Sequence, residues 1–395
     1  MRFGERSPHL RRALGEGDLS RVRWVRHSAL RGTDWWLLAA VSALAGLGVL
    51  LVWSSTRPRL IAAGEDPQAY LKRQIVNVAL GLALLLVIAF AGRGTLRAWT
   101  PPAYLLGCLG LAAVLTPLGM TVNGSRSWLG VGGFQFQPSE IVKVTVVLGL
   151  ASLFGDHGER RPPAARFGLA LLLAAVPFGL VMLQPDLGTG MILAVTVLGV
   201  LVVARVRLGW LALLAGAGVA AGALAWWLDL LQPHQVDRLL AFADPGADPR
   251  GAGYNAARAL VTVGSGGLLG RGLFHGDQTG GRFVPEQHTD FVFTVAGEEL
   301  GFAGSALILI LLWAVIWRGL RIAAHAASPY GTIAAAGIVC WLAVQTFVNV
   351  GMVLGVVPVV GVPLPFVSYG GSAVVASMAA VGVLISIGRE AARPY

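Results

Sequence analysis

The chain has 395 residues, of which 55% are hydrophobic and 13% charged, with a formal net charge of +10. Several uncharged runs reach about 18–22 residues, the length that spans a bilayer core, which excludes a soluble helical protein. A basic chain could bind nucleic acid, but the arginines here flank apolar runs and no base-reading motif follows them, so no nucleic-acid partner is expected.

Eight arginines, Arg2, Arg6, Arg11, Arg12, Arg21, Arg23, Arg26 and Arg31, precede the first apolar run. They predict a cytoplasmic tail over 1–33 that can touch anionic membrane lipids. The first run lacks a small-residue cleavage site and reads as a retained helix. Spans are predicted at about 34–54, 74–92, 101–117, 139–155, 167–183, 189–205, 208–228, 291–317, 329–356 and 371–388. The expected fold is all-α and polytopic, with about ten transmembrane helices over 34–388 and a short cytoplasmic C-terminus, 389–395.

An even number of spans puts both termini on one side of the cytoplasmic membrane. Arg93, Arg97, Arg160, Arg161, Arg166, Arg205, Arg207, Arg318, Arg321, Arg389 and Arg393 then fall in the cytoplasm with the tail. The short outer loops near 184–188 and 357–370 carry no Lys or Arg, as the positive-inside rule requires. The outer loop between the first two spans is an exception, with Arg57, Arg59, Lys72 and Arg73. Trp35, Trp36, Trp53, Trp226, Trp227 and Trp317 lie near span ends and read as interfacial anchors. Cys108 and Cys340 fall inside apolar runs and read as small core residues, with no disulfide or metal pair. Between spans 7 and 8 an extracytoplasmic loop, 229–290, is too long for a connector and is a functional candidate. Within it 254–269 is mildly apolar and suits a short helix at the membrane surface. No strong internal repeat is visible, which weakens a transporter built from inverted repeats.

Four polar groups lie near the outer span ends. The first runs from Asn123 through Arg126 to Glu140, with Lys143 after it. Pro138-Ser139-Glu140 predicts a helix start, and Glu140 and Lys143 share one helical face. They form either a structural ion pair or part of a site where Lys143 or Arg126 holds an anion. In the second, Gln184 to Gly190, Asp186 either caps a helix or lines the site. The third is glycine-rich, around Gly264-Ser265-Gly266-Gly267, with Arg258, Arg271 and Arg282. It lacks the Gly-Lys-Ser/Thr element of a nucleotide loop and reads either as a phosphate cradle or as a solvated loop. The fourth is Pro285-Glu286-Gln287-His288-Thr289-Asp290, followed by Glu298-Glu299 inside an apolar run. Intramembrane acids are expensive and find partners, so Glu298 and Glu299 suit packing or pairing. Asp290 sits where water and substrate meet and is the prime functional residue. His288 more often bonds backbone than metal, and no metal-ligand cluster is evident. These groups suit chemistry on an anionic lipid-linked substrate, and equally an ion-coupled transporter.

Five stretches resemble the SEDS family of bacterial cell-wall proteins (RodA, FtsW and SpoVE). They are 126–143, 184–189, Gly264-Ser265-Gly266-Gly267, 285–291 and Pro363-Leu364-Pro365-Phe366-Val367-Ser368-Tyr369-Gly370-Gly371-Ser372. Asn349-Val350-Gly351-Met352 and 361–366 are most like the RodA branch. The stretches 253–259 and 270–278 depart from the family pattern, which weakens any residue-by-residue reading of the loop.

The resemblance implies a peptidoglycan glycosyltransferase that polymerises lipid II at the outer membrane face, with a class B penicillin-binding protein as partner. It places the family's essential aspartate on Asp290 and its acid–lysine pair on Glu140 and Lys143. The expected site is Asp290 as general base, with Arg126, Lys143, Glu140, Asp186, Arg258, Arg282 and Ser368 binding substrate. The sequence shows no ligand cluster that requires a cofactor; a divalent cation, Mg or Mn, could help neutralise the pyrophosphate. The alternatives are a flippase for the lipid-linked precursor and a non-catalytic scaffold for the cross-linking enzyme.

Overall fold

The computed structural model describes residues 32–122, 125–131, 134–156, 162–243 and 251–392. Nearly all of the arginine-rich tail lies outside them, with Asn123, Gly124, Arg160, Arg161 and Arg393. Apolar runs fold into helices because a helix satisfies its own backbone polar groups where lipid offers none. In chain order these are α1 (Trp35–Ala62), α2 (Ala69–Phe90), α3 (Arg93–Val114), α4 (Pro138–Phe154), α5 (Ala164–Met182), α6 (Leu187–Val203) and α7 (Leu208–Trp227). The loop that follows carries α8 (Pro233–Ala243), α9 (Ala252–Ser265) and a single turn, α10 (Asp277–Gly280). A broken helix comes next: α11 (Val292–Val295), a π-turn (Ala296–Leu300) and α12 (Gly301–Ala324). The last two are α13 (Pro329–Val353) and α14 (Gly371–Ala391).

Counting the broken helix once, the described residues hold ten long helices at the ten expected places. By length and composition seven of them can cross a membrane, and α3, α4 and α6 are the other three. The chain is an all-α polytopic membrane protein. Its middle is α14, whose apolar window is 78% buried, while α7, 6% buried, lies at the rim. α14 packs most extensively on α2, α13 on α6, and α3 on α4.

Three features differ from expectation. α1 runs past Ser54 to Ala62 and contains Pro58, so Arg57 and Arg59 belong to its last turns and not to a loop. Trp53 packs edge-on against Phe274, with ring centroids 4.8 Å apart, and is no lipid anchor. The polar stretch after α3 forms a small antiparallel sheet, β1 (Gly119–Val122), β2 (Ser125–Val131) and β3 (Phe134–Phe136).

The break between α11 and α12 is stitched to the loop. Wide turns leave helical carbonyls and amides unpaired, and each must find a partner. Arg271 N donates to Glu298 O and Gly272 N to Glu299 O, both at 3.0 Å. Phe302 N and Ala303 N donate in return to Gly267 O and Leu268 O. The two acids complete the seam. Glu298 accepts from Gln278 N, Thr279 N and the Thr279 hydroxyl, each at 2.7 Å. Glu299 accepts from the Ser54 hydroxyl at 2.6 Å. Glu298 and Glu299 therefore pair with the loop and with α1.

So close an approach needs glycine. A Cβ on Gly266 would lie 2.0 Å from Gly297 O. Gly266→Ala is expected to lower stability by about 1–3 kcal/mol through overpacking. Thermal unfolding in detergent checks this, and an unchanged midpoint counts against the seam.

Candidate active site

The first turns of α2, α4, α6 and α14 meet at one end of the bundle and line a cavity of about 360 Å³. The β-sheet, α8 and the segments 286–290 and 358–363 complete its walls. Up-and-down helices make this arrangement possible, since every second helix starts at the same end.

Asp290 opens into this cavity. The preceding turn closes when Thr289 N and Phe291 N both donate to Glu286 O at 3.2 Å, with Glu286 at a left-handed φ of 50°. A Cβ added to Gly361, itself at φ +72°, would lie 3.2 Å from Asp290 Oδ2, so bare backbone forms the wall beside the carboxylate. Burial pushes the Asp290 pKa up to about 7, the Glu286 carboxylate adds to this, Arg238 opposes it, and Asp186 adds a little.

Glu140 and Lys143 also line the cavity, each 1% exposed. Pro138 starts α4 and fixes both residues in its opening turns. Lys143 Nζ donates to Glu140 Oε1 at 2.7 Å and to Gln345 Oε1 at 2.9 Å, and lies 4.9 Å from the centre of the Trp341 ring. Glu140 Oε2 is buried without a hydrogen-bond partner. Asp186 caps α6: Oδ1 accepts from Thr189 N at 3.0 Å, and Oδ2 from the Thr189 hydroxyl at 2.8 Å and Gln137 Nε2 at 3.2 Å. It lines the cavity with both oxygens already engaged.

Four expected contacts lie elsewhere. Arg126 turns to the end of α3 and donates to Thr116 O at 2.6 Å and Gly119 O at 3.2 Å, bracing the sheet. Arg258 stacks on Tyr254 and Phe283. Arg282, at φ 58°, shapes a turn and is not among the cavity residues. Ser368, 1% exposed, donates to Thr289 O at 2.6 Å and supports the Asp290 turn from behind. Sequence spacing counted these residues as neighbours of the site, but only folding decides which way their side chains turn.

In place of these arginines the cavity is lined by Arg73 and Arg238. Arg73 hydrogen-bonds the Tyr369 phenol. Arg238 Nη1 reaches Val360 O at 3.5 Å. A signal for Arg73 was present in the sequence: it is one of the four cations that break the positive-inside pattern. Lys72 pairs with Asp66 at 2.7 Å, Arg57 lies over Phe274 and Arg59 is exposed on the last turn of α1, so of the four only Arg73 lines the cavity. Arg238 had no such signal, because it lies in the middle of a long loop.

The His288 ring packs edge-on against Tyr70 at 5.2 Å and tilted against Tyr369 at 5.6 Å. Burial lowers its pKa, Glu286 raises it and Arg59 lowers it further, so near pH 7 the ring is mostly neutral. Among the described residues no three His, Cys, Asp or Glu side chains converge to hold a metal ion.

The profile of the FtsW, RodA and SpoVE family of cell cycle proteins matches residues 35–393. The Escherichia coli K12 peptidoglycan glycosyltransferase MrdB is 40% identical over 352 residues, covering 89% of this chain and 92% of that one. The Bacillus subtilis stage V sporulation protein E is 36% identical, covering 90% and 97%. The crystal structure of the Thermus thermophilus rod shape determining protein RodA superposes with a TM-score of 0.67 at 30% identity, covering 92% and 98%. A chain of a peptidoglycan synthase complex that coordinates polymerisation and crosslinking superposes with a TM-score of 0.73 at 32% identity, covering 92% and 99%.

Proposed function

The chain belongs to the FtsW, RodA and SpoVE family, and from that premise we propose that Asp290 is the base of its glycosyl transfer, with lipid II as donor and acceptor. The activity is that of a RodA-like peptidoglycan glycosyltransferase acting in cell elongation. The observation that carries the catalytic reading is the Asp290 carboxyl, its pKa raised to about 7, in a cavity that Arg73, Arg238 and Lys143 also line.

The acceptor sugar hydroxyl gives its proton to the Asp290 carboxylate as its oxygen bonds the donor's anomeric carbon. The anomeric bond to polyprenyl pyrophosphate breaks, and the pyrophosphate leaves with the electron pair. Two demands follow: a base at the hydroxyl and positive charge at the phosphates. Arg73 and Arg238 supply that charge, with Lys143 beside them. The leaving group needs no proton, so one carboxylate suffices where glycosidases use two.

The cavity opens to the outer face of the cytoplasmic membrane, with both termini in the cytoplasm. This reading is supported by Arg93, Arg97, Arg166, Arg205, Arg207, Arg318 and Arg321, which cluster at the opposite helix ends. The partner is a class B penicillin-binding protein, in line with the synthase complex that the fold resembles.

The pH profile tests the base directly. A carboxyl titrating at about 7 is half protonated near neutrality, and only its ionised form accepts the hydroxyl proton. Polymerisation of lipid II by the protein with its partner is expected to fall about tenfold per pH unit below 7 and to level off about one unit above it. Initial rates across that range measure it, and a flat profile sinks the assignment.

A further inference from the structure

Three successive carbonyls of the catalytic turn are held by three donors from the far side of the site. Tyr369 N donates to His288 O at 2.8 Å, Ser368 Oγ to Thr289 O at 2.6 Å, and Asn349 Nδ2 to Asp290 O at 2.8 Å. The third is the unusual one. Asn349 sits on α13 and is fully buried, and the same nitrogen also donates to Val362 O at 2.7 Å. One amide thus ties the peptide of Asp290 to the segment beside its carboxylate, since Gly361 immediately precedes Val362. The reverse amide orientation would set Oδ1 against two carbonyls, so the donor assignment is firm. Asn349 Oδ1 is left buried without a partner, which costs about 1–3 kcal/mol. Packing alone gains nothing from such a residue, as a leucine would fill the space without that cost.

We propose that Asn349 is a positioning residue for glycosyl transfer, locking the Asp290 carboxylate against the Gly361 wall, with Ser368 as the second arm of the lock. The inference rests on Asp290 being the base. Neither side chain touches substrate; Asn349 acts through the Asp290 carbonyl and Ser368 through the Thr289 carbonyl before it. The expected consequence is a loss of turnover with substrate binding preserved, because the phosphate-facing cations are carried by α2 and α8 and bond Tyr369 and Val360, not Asn349 or the Ser368 hydroxyl.

The test uses the full-length protein with its partner synthase and lipid II, measuring kcat and KM for wild type, Asn349→Leu, Ser368→Ala, Ser368→Thr and Asp290→Asn. A misplacement near 1 Å predicts about a 10- to 100-fold fall in kcat for Asn349→Leu, with KM within about twofold. Ser368→Ala falls in the same sense, and Ser368→Thr, which keeps the hydroxyl, restores turnover. If Asn349→Leu does not fold, the Ser368 pair decides alone. Wild-type kcat in folded Asn349→Leu or in Ser368→Ala overturns the proposal, and so does a fall expressed in KM alone. An inactive Asp290→Asn beside fully active lock variants sinks only the positioning role. An active Asp290→Asn sinks the base, and the lock with it.

Discussion

Asp290→Asn is expected to abolish glycan polymerisation while leaving the protein folded. The substitution keeps shape and hydrogen bonding but removes the only form of the side chain that can accept a proton. General-base catalysis contributes about 10²–10⁴-fold, so at least that loss is expected in kcat. Stability moves the opposite way. A half-buried carboxyl whose folded pKa is raised from 3.8 to about 7 holds its proton in the fold after the unfolded chain has lost it. Its contribution to stability is therefore lost as pH rises through that window and stays lost above it. Asn never ionises, so Asp290→Asn should melt no lower than wild type at pH 8 and should show less pH dependence between about 4 and 7. Polymer formation from lipid II and thermal unfolding of the same preparations check both halves. An inactive variant that melts lower than wild type would point to lost structure, and an active one would exclude Asp290 as base. Lipid II translocation in vesicles that survives the substitution would mark a separate flippase activity.

The second large effect belongs to the Glu140–Lys143 pair. Lys143→Met is expected to cost about 3–5 kcal/mol, because it strands a buried carboxylate whose Oε2 already lacks a partner. Gln345 Oε1 keeps the Trp341 indole N–H at 2.6 Å, so the damage centres on Glu140. Replacing both members, Glu140→Gln with Lys143→Met, should recover most of the stability, since the costly charge has gone with its partner. Polymerisation should not recover, because a cavity cation is missing. Recovery of both folding and activity would reduce the pair to a structural ion pair; recovery of neither would mean that the two residues hold the helix start together. Thermal midpoints and polymer yields of the two variants separate these outcomes.

Asp290, Glu140, Lys143 and Asp186 could all be picked out in the sequence because their cost is local. Each is an ionisable group at the edge of an apolar run, and such a group needs a reason wherever the rest of the chain goes. The cap role of Asp186 was equally local, since Thr189 lies three residues away and supplies its partners. Arg258 and Arg282 looked suitable because they lie in the same long loop as Asp290. Loop neighbours share sequence but not direction: one guanidinium stacks on Tyr254 and Phe283, and the other residue shapes a turn. Arg126 failed for a related reason. Its strand pairs with β1, which turns the side chain back to the carbonyls of Thr116 and Gly119.

By itself the sequence determined the all-α membrane architecture and the position of Asp290 at the edge of a span. Bilayer thickness and the cost of bare charge act on each segment separately, so both can be read one segment at a time. Only the tertiary structure decided which cations share a cavity with that acid and what bonds its backbone. Arg73 lies 217 residues before Asp290, Arg238 lies in mid-loop, and Asn349 reaches it from a helix 59 residues on. No local rule links such positions. They meet because helices of alternating direction bring their starts to one end of the bundle, where each side chain's direction is set by the neighbours it packs against.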